Sequence, residues 1–287
     1  MLKSTIKLFI ALALGSQIAA CSSLTANENI TASNEGTSVS LHSPTPDEPS
    51  EDSISNESTP QPSSSLAVEP EQQAQPVKLY RMNDAYRFEP MEESTPAKAV
   101  LLTFDDGPKD EGVITSMLDT LDNHQAKAIF FVNGYRVKQN PDLLKLIYIR
   151  GQTIGNHSWD HINLKNESEE VIEQQLADLQ AQIESFIGEK PIFFRPPYGS
   201  GGDKVKNIAK NHGMLYMTWS NGSLDWDKSA KNKPEIVIQN VMEQLHPGAN
   251  ILMHEVQWTA DALDELLTKL ENEGYSFIDP DTIVTSH

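Results

Sequence analysis

The sequence predicts a parallel α/β fold, either an open sheet or a barrel. Seven short strand-like runs alternate with helical patterns between residues 99 and 278, which is the order that builds a parallel sheet covered by helices. Carboxylate, imidazole and guanidinium groups recur just past the ends of successive runs, where such sheets place their chemistry. Residues 79–287 are also enough for one well-buried core.

The chain opens with an address. Lys3 and Lys7 precede an apolar run, Leu8 to Leu14, too short to span a bilayer. Ile18-Ala19-Ala20-Cys21 follows, so residues 1–20 read as a signal peptide with a small-residue cleavage site. Those four residues resemble the lipobox of bacterial lipoproteins, which implies a lipidated Cys21. Cys21 is the only cysteine, so no disulfide forms within the chain. Several acyl chains on one residue anchor stably where a single chain binds marginally. Ser22 after the cysteine favours, by the same resemblance, the outer membrane of a Gram-negative envelope. Residues 21–78 are expected to be a disordered tether. Residues 22–77 hold nine acidic and no basic side chains and are rich in Ser, Thr, Pro, Asn and Gln. Such a segment lacks the apolar surface to offset its ordering entropy.

In the folded part, strands are expected at 99–104, 127–132, 152–156, 192–195, 214–219, 250–254 and 275–278. Glu167 to Ile187 reads as a helix, because Ile172, Leu176, Leu179, Ile183 and Phe186 recur three or four apart. Ala260 to Glu273 repeats this with Leu263, Leu266, Leu267 and Leu270, and Pro234 marks the start of a helix to Leu245. Lys78 to Lys98 is transitional, with Leu79, Tyr80, Met82, Tyr86 and Phe88 to pack on the domain edge. Beyond residue 77 there are 32 acidic and 20 basic residues, a net charge of −12 that argues against non-specific nucleic-acid binding.

The chemistry centres on Thr103-Phe104-Asp105-Asp106-Gly107-Pro108 after the first core strand. Alone, Asp-Asp-Gly-Pro is ordinary turn chemistry. His157 and His161 answer it, four apart in Asn156-His157-Ser158-Trp159-Asp160-His161. On a helical turn that spacing puts both imidazoles on one side. An Asp with two His suits a divalent metal with open positions, zinc foremost. Arg195-Pro196-Pro197-Tyr198 follows another strand and Leu252-Met253-His254 ends a further one.

These motifs, with Asp225-Trp226, resemble in order the five motifs of the polysaccharide deacetylase family, the NodB homology group or carbohydrate esterase family 4. Ala128–Gly134 and Ile154-Gly155-Asn156 also match its framework, and the resemblance covers about 95 to 280. It implies a distorted (β/α) barrel of seven or eight mostly parallel strands, and removal of acetyl groups from N- or O-acetylated sugars. It further implies Asp106, His157 and His161 as ligands of a divalent metal, with Co2+ or Ni2+ as alternatives to Zn2+. Asp105 is implied as general base and His254 as general acid, oriented by Arg195 and Asp225 respectively. The backbone N–H of Tyr198 is implied to hold the oxyanion, and Trp226 and Leu252 to line the acetyl pocket.

Elementary chemistry agrees with these roles. Amide hydrolysis needs an activated water, a polarised carbonyl and a proton for the leaving amine. An ionised Asp105 calls for a cationic partner, and Arg195 offers a fixed planar one. A carboxylate beside His254 favours the charged imidazole. Tyr198, Trp226 and Leu252 also read as plain core residues, Trp219 more so, and Asp227 competes with Asp225 as partner of His254. Trp258 reads either as a sugar-stacking ring or as a cover for the helix start. Two departures stand out: Gly222 where the family usually has Asp, and Glu255 where it often has Asp. The leading expectation is deacetylation of an N-acetylglucosamine-containing polymer: peptidoglycan, an exported polysaccharide or chitin fragments. The alternatives are an O-acetyl xylan esterase and a catalytically silent carbohydrate-binding protein.

Overall fold

The computed structural model describes residues 76–285, so the expected signal peptide, Cys21 and nearly all of the tether lie outside the described residues. No helix among the described residues is long and apolar enough to cross a membrane.

The chain enters through an antiparallel hairpin, β1 (Tyr80–Met82) and β2 (Phe88–Pro90), which buries Tyr80 and Phe88. Then follow β3 (Ala99–Gly107), α1 (Glu111–Asn123), β4 (Ala128–Val132), α2 (Gly134–Gln139), α3 (Pro141–Ile149) and β5 (Thr153–Asn156). The second half runs α4 (Glu169–Ile187), β6 (Phe193–Phe194), α5 (Asp203–Asn211), β7 (Leu215–Tyr216), β8 (Asn221–Gly222), α6 (Pro234–Glu243), β9 (Ala249–His254), α7 (Gln257–Asn272) and β10 (Ser276–Phe277). The main sheet has the order β7-β6-β5-β4-β3-β9-β8, with every pairing parallel, and curls into a half-barrel. β10 pairs with β3 only at Ala99 and Val100.

All seven expected strands are present, several of them shorter than expected. The periodic helices form where the apolar spacing placed them, except that α7 begins at Gln257, before Ala260. Ser168 caps α4, accepting from the Val171 N–H, and Gly188 ends it in the left-handed conformation. β8 went unseen in the sequence because a two-residue Asn-Gly strand carries no apolar run.

Strand periodicity divides the interior. Val100, Leu102 and Phe104 of β3, with Ala128, Phe130 and Val132 of β4, face the helices and pack on α1, α6 and α7. Ala99 and Leu101, with Ile129, Phe131 and Phe193, face the inside of the curl under the hairpin. Because side chains alternate, Thr103 and Asp105 continue the inner face of β3, as Asn250, Leu252 and His254 do on β9. The apolar floor therefore turns polar towards the carboxyl ends of the strands. Gly155 of β5 is required here: a Cβ would overlap the Phe131 ring, which itself lies beneath a buried guanidinium.

Candidate active site

Arg195 is the foundation of the inner polar layer. Its side chain is fully buried just beyond β6. One terminal nitrogen donates to Asp105 Oδ1 at 2.8 Å and Thr103 Oγ1 at 2.7 Å; the other donates to Asn250 Oδ1 at 3.0 Å and the Thr218 carbonyl at 2.8 Å. The Thr103 hydroxyl donates onward to the Ile251 carbonyl, which directs its lone pairs at the arginine. The guanidinium also sits 4.4 Å from the Phe131 ring centroid. Burial pulls the Arg195 pKa down, opposed by the Asp105 charge. Each member of this buried pair thus has its partner within hydrogen-bond distance.

Asp106 comes next in the chain. Its φ of 72° lies in the left-handed region, which brings the side chain of this second, consecutive residue into the same pocket as that of Asp105. Asp106 Oδ1 lies 3.0 Å from His161 Nε2 and 3.4 Å from His157 Nε2, and His157 Nε2 is 3.7 Å from Asp105 Oδ2. The imidazoles come from a loop, not from the helical turn expected for their four-residue spacing. Residues 157–161 are irregular, with Ser158 at φ 65° and His161 at φ 55°. Asn133 Nδ2 holds the loop by donating to the His157 and Ser158 carbonyls, while Gln175 bonds both the backbone N–H and the carboxylate of Asp160. The two rings still converge, with centroids 5.1 Å apart.

Asp106, His157 and His161 form a set of donor atoms within 4.8 Å of one another. Their chemistry fits a divalent cation. His157 Nδ1 faces the Arg195 carbonyl at 2.7 Å; a carbonyl only accepts, so Nδ1 carries the hydrogen and Nε2 is the nitrogen turned into the cluster. Asp106 Oδ1 is buried and has no hydrogen-bond partner. Burial alone would raise the Asp106 carboxyl, yet the facing His157 and His161 hold it well below the usual carboxylate range. Positive charge at this point, whether imidazole protons or a metal ion in their place, is what keeps it ionised. Two imidazoles and one carboxylate leave coordination positions open, unlike a closed structural site.

Across the pocket stands His254, paired in register with Asp105 between β9 and β3. Its Nδ1 bonds Asp225 Oδ1 at 2.7 Å, while Asp225 Oδ2 accepts from the His254 backbone N–H and the Thr259 hydroxyl, both at 2.6 Å. Asp225 is fully buried, and three donors make it a fixed carboxylate. Asp227 instead bonds Ser229 at the surface, so of the two candidates it is Asp225 that reaches His254. Burial by itself would lower the His254 pKa; the hydrogen bond and charge of Asp225 outweigh it and raise it. The remaining nitrogen, Nε2, is left without a protein partner on the pocket side.

One pocket of about 380 Å³ is lined by Asp105, Asp106, His157, His161 and His254, with Tyr198, Leu252, Trp226 and Trp219 as its apolar walls. Tyr198 and Trp226 are 66% and 48% exposed, so neither is a core residue; Leu252 is buried yet forms the pocket floor. Trp219, read from sequence as core, also belongs to the wall, edge-on to Trp226, which is in turn edge-on to His254. Tyr198 sits edge-on to His161, with φ 61°. Non-glycine residues with positive φ therefore gather here, a pattern that marks functional sites. Trp258 donates its indole N–H to the Asp225 carbonyl and packs on the core, supporting the site from behind.

Sequence reasoning missed Thr103, Asn250 and Thr259, the uncharged partners of the ion pairs. Glu255 was noted only as a departure from the family pattern, and its place was not foreseen: it is enclosed beside Gly107 and Pro108. Burial pushes the Glu255 carboxyl up to about 8, against the pull of Lys109. A lone Thr or Asn in a strand has no signature, whereas Glu255 had one: a charged residue next to a site histidine.

Comparison with known proteins adds to this geometry. Residues 92–217 match the family described as polysaccharide deacetylase. A peptidoglycan-N-acetylglucosamine deacetylase of Listeria monocytogenes is 38% identical over 187 residues, 65% of this chain and 39% of that protein. The chain thus spans well under half of that relative. A peptidoglycan-N-acetylmuramic acid deacetylase of Bacillus subtilis is 32% identical over 64% of this chain and 70% of its own length. Among solved structures, a carbohydrate esterase family 4 pseudoenzyme from Bacillus anthracis superposes with a TM-score of 0.61 at 35% identity, covering 65% of this chain and 66% of its own.

The buried pair yields a direct expectation. Arg195→Met leaves the Asp105 carboxylate enclosed without its cation, so urea unfolding should show a loss of about 3–5 kcal/mol. A loss below about 1 kcal/mol would show that Asp105 does not depend on this partner.

Proposed function

The chain belongs to the polysaccharide deacetylase family, and on that premise we propose that it is a metal-dependent hydrolase removing acetyl groups from an N-acetylglucosamine-containing polymer of the cell envelope. The observation that carries this reading is the meeting of three groups around one pocket: the Asp106–His157–His161 donor set, an Arg195-held Asp105 and an Asp225-held His254. Relatives named for peptidoglycan N-acetylglucosamine and N-acetylmuramic acid support peptidoglycan as the polymer. Zinc is the ion we assign to the donor set, and a lipid on Cys21 with a tether over 21–78 is the anchor that would hold the 79–287 domain at the outer membrane.

In this mechanism Asp106, His157 and His161 hold the ion, whose chemistry when bound is to polarise the acetyl carbonyl and lower the pKa of a water from ~15.7 to about 7. Asp105 Oδ2 faces the same space and takes the proton of the attacking water. Arg195 aims Asp105 by occupying its other oxygen. His254 Nε2 gives its proton to the departing amine, and Asp225 keeps that imidazole charged and correctly turned. Water and amide become acetate and free amine; Asp105 ends with one proton more and His254 with one fewer, and exchange with solvent restores both. The Tyr198 N–H supports the oxyanion, and Trp226 and Leu252 enclose the acetyl methyl.

The test is acetate release by the whole protein after chelation, with Zn2+, Co2+ or Ni2+ restored singly. Release from N-acetylglucosamine oligomers or peptidoglycan that returns only with metal is the expected result. Release confined to acetylated xylan would replace the reading with an O-acetyl esterase. No release from any polymer by metal-loaded protein would place the chain with silent members such as the Bacillus anthracis neighbour.

The His254 assignment predicts a pH effect. Because the proton donor must be charged and Asp225 raises its pKa, activity should persist above the ordinary histidine range and fall at higher pH. In Asp225→Asn the alkaline fall should move to lower pH by about 1 or more. An unmoved alkaline limb would remove His254 from the proton-donor role.

A further inference from the structure

We propose that Lys109 is a positioning residue that holds the Asp106 carboxylate with a single oxygen turned to the donor cluster, and that buried Glu255 holds Lys109 in place. The inference rests on the reading of Asp106 as a metal ligand. The two oxygens of Asp106 are not equivalent: Oδ1 is buried towards His157 and His161, while Oδ2 faces the Lys109 ammonium at 3.8 Å. That ammonium is only partly exposed, so its attraction is less screened than a surface pair's. Rotation of the carboxylate, or two-oxygen coordination of an ion, would forfeit the pairing. Lys109 thus favours a single-oxygen Asp106, which keeps coordination positions free.

The placement of Lys109 is itself built into the fold. Its backbone N–H donates to Glu255 Oε2 at 3.3 Å, and Asn140 Nδ2 holds the preceding Pro108 carbonyl at 3.0 Å. Glu255 is 3% exposed, follows His254 at the end of β9 and presses against Gly107, where any Cβ would overlap its carboxyl group. One carboxyl on β9 therefore seats the turn that carries both Asp105 and Asp106. Nothing in the proposed proton transfers uses Glu255 or Lys109, and these contacts give both a purpose.

The experiment is zinc affinity of the whole protein, measured by competition with a chromophoric chelator, together with the visible spectrum of the Co2+-loaded form. Lys109→Met should weaken zinc about 10-fold or more and change the Co2+ spectrum, and Lys109→Arg should restore most of both. Glu255→Leu should weaken zinc similarly, while Glu255→Gln, which keeps an acceptor for the Lys109 N–H, should stay near the parent. Circular dichroism identifies any variant that has not folded, and the Lys109→Arg comparison then decides. Unchanged or tighter zinc binding in folded Lys109→Met overturns the inference. Failure of the parent protein to bind zinc overturns the metal reading instead, so the two failures are told apart.

Discussion

The whole site depends on placing a guanidinium inside the half-barrel. Taking Arg195 out of water costs several kcal/mol, which only an almost complete set of acceptors offsets. Asp105, Thr103, Asn250 and the Thr218 carbonyl supply it from β3, β9 and the segment after β7, and Phe131 supplies a ring face from β4. Four neighbouring parts of the curled sheet are thereby tied to one planar group. Its rigidity fixes Asp105, and its backbone carbonyl fixes the tautomer of His157. A single buried cation thus orients one group on the proton-accepting side and one in the donor cluster.

The second pair repeats the same physics with opposite charge order. There the buried group is the Asp225 carboxylate, and the residue facing the pocket is His254. Thr259 and the His254 backbone N–H both donate to the other oxygen, so the Asp225 carboxylate is held in one orientation. Between the pairs the pocket wall is aromatic and aliphatic, which suits a methyl group and lowers the local polarity around the reacting atoms. The protein is acidic overall, yet the buried carboxylates of Asp105 and Asp225 are each matched by a cationic or hydrogen-bond-donating partner.

Much of this was legible in the sequence because strand periodicity and turn chemistry act locally. Continuous apolar runs, Ala99–Leu102 and Ile251–Met253, announce two buried strands, and the acid and imidazole groups that follow them fall at the sheet's carboxyl edge. What was not legible depends on partners far apart in the chain. The bond from Arg195 to Asn250 spans 55 positions and that from Arg195 to Thr103 spans 92, and neither Thr nor Asn advertises such a role. The choice of Asp225 over Asp227 is decided by which side chain turns inward after β8, a matter of loop geometry that spacing does not encode. The helical turn expected for His157 and His161 failed because Asn133 and Gln175 pin that segment in a left-handed path. Trp219 looked like core because large aromatic residues usually are, and only the open edge of the half-barrel makes it a wall beside Trp226.

The central claim is a division of labour between two adjacent carboxylates: Asp106 binds an ion and Asp105 handles protons. A crystal of the zinc-loaded protein, with anomalous scattering recorded at the zinc edge, tests it most directly. The account predicts one strong peak, with Asp106, His157 and His161 each about 2.0–2.2 Å away and Asp105 still paired with Arg195 outside the coordination sphere. A zinc ion ligated by Asp105, or one seated away from this donor set, would contradict it.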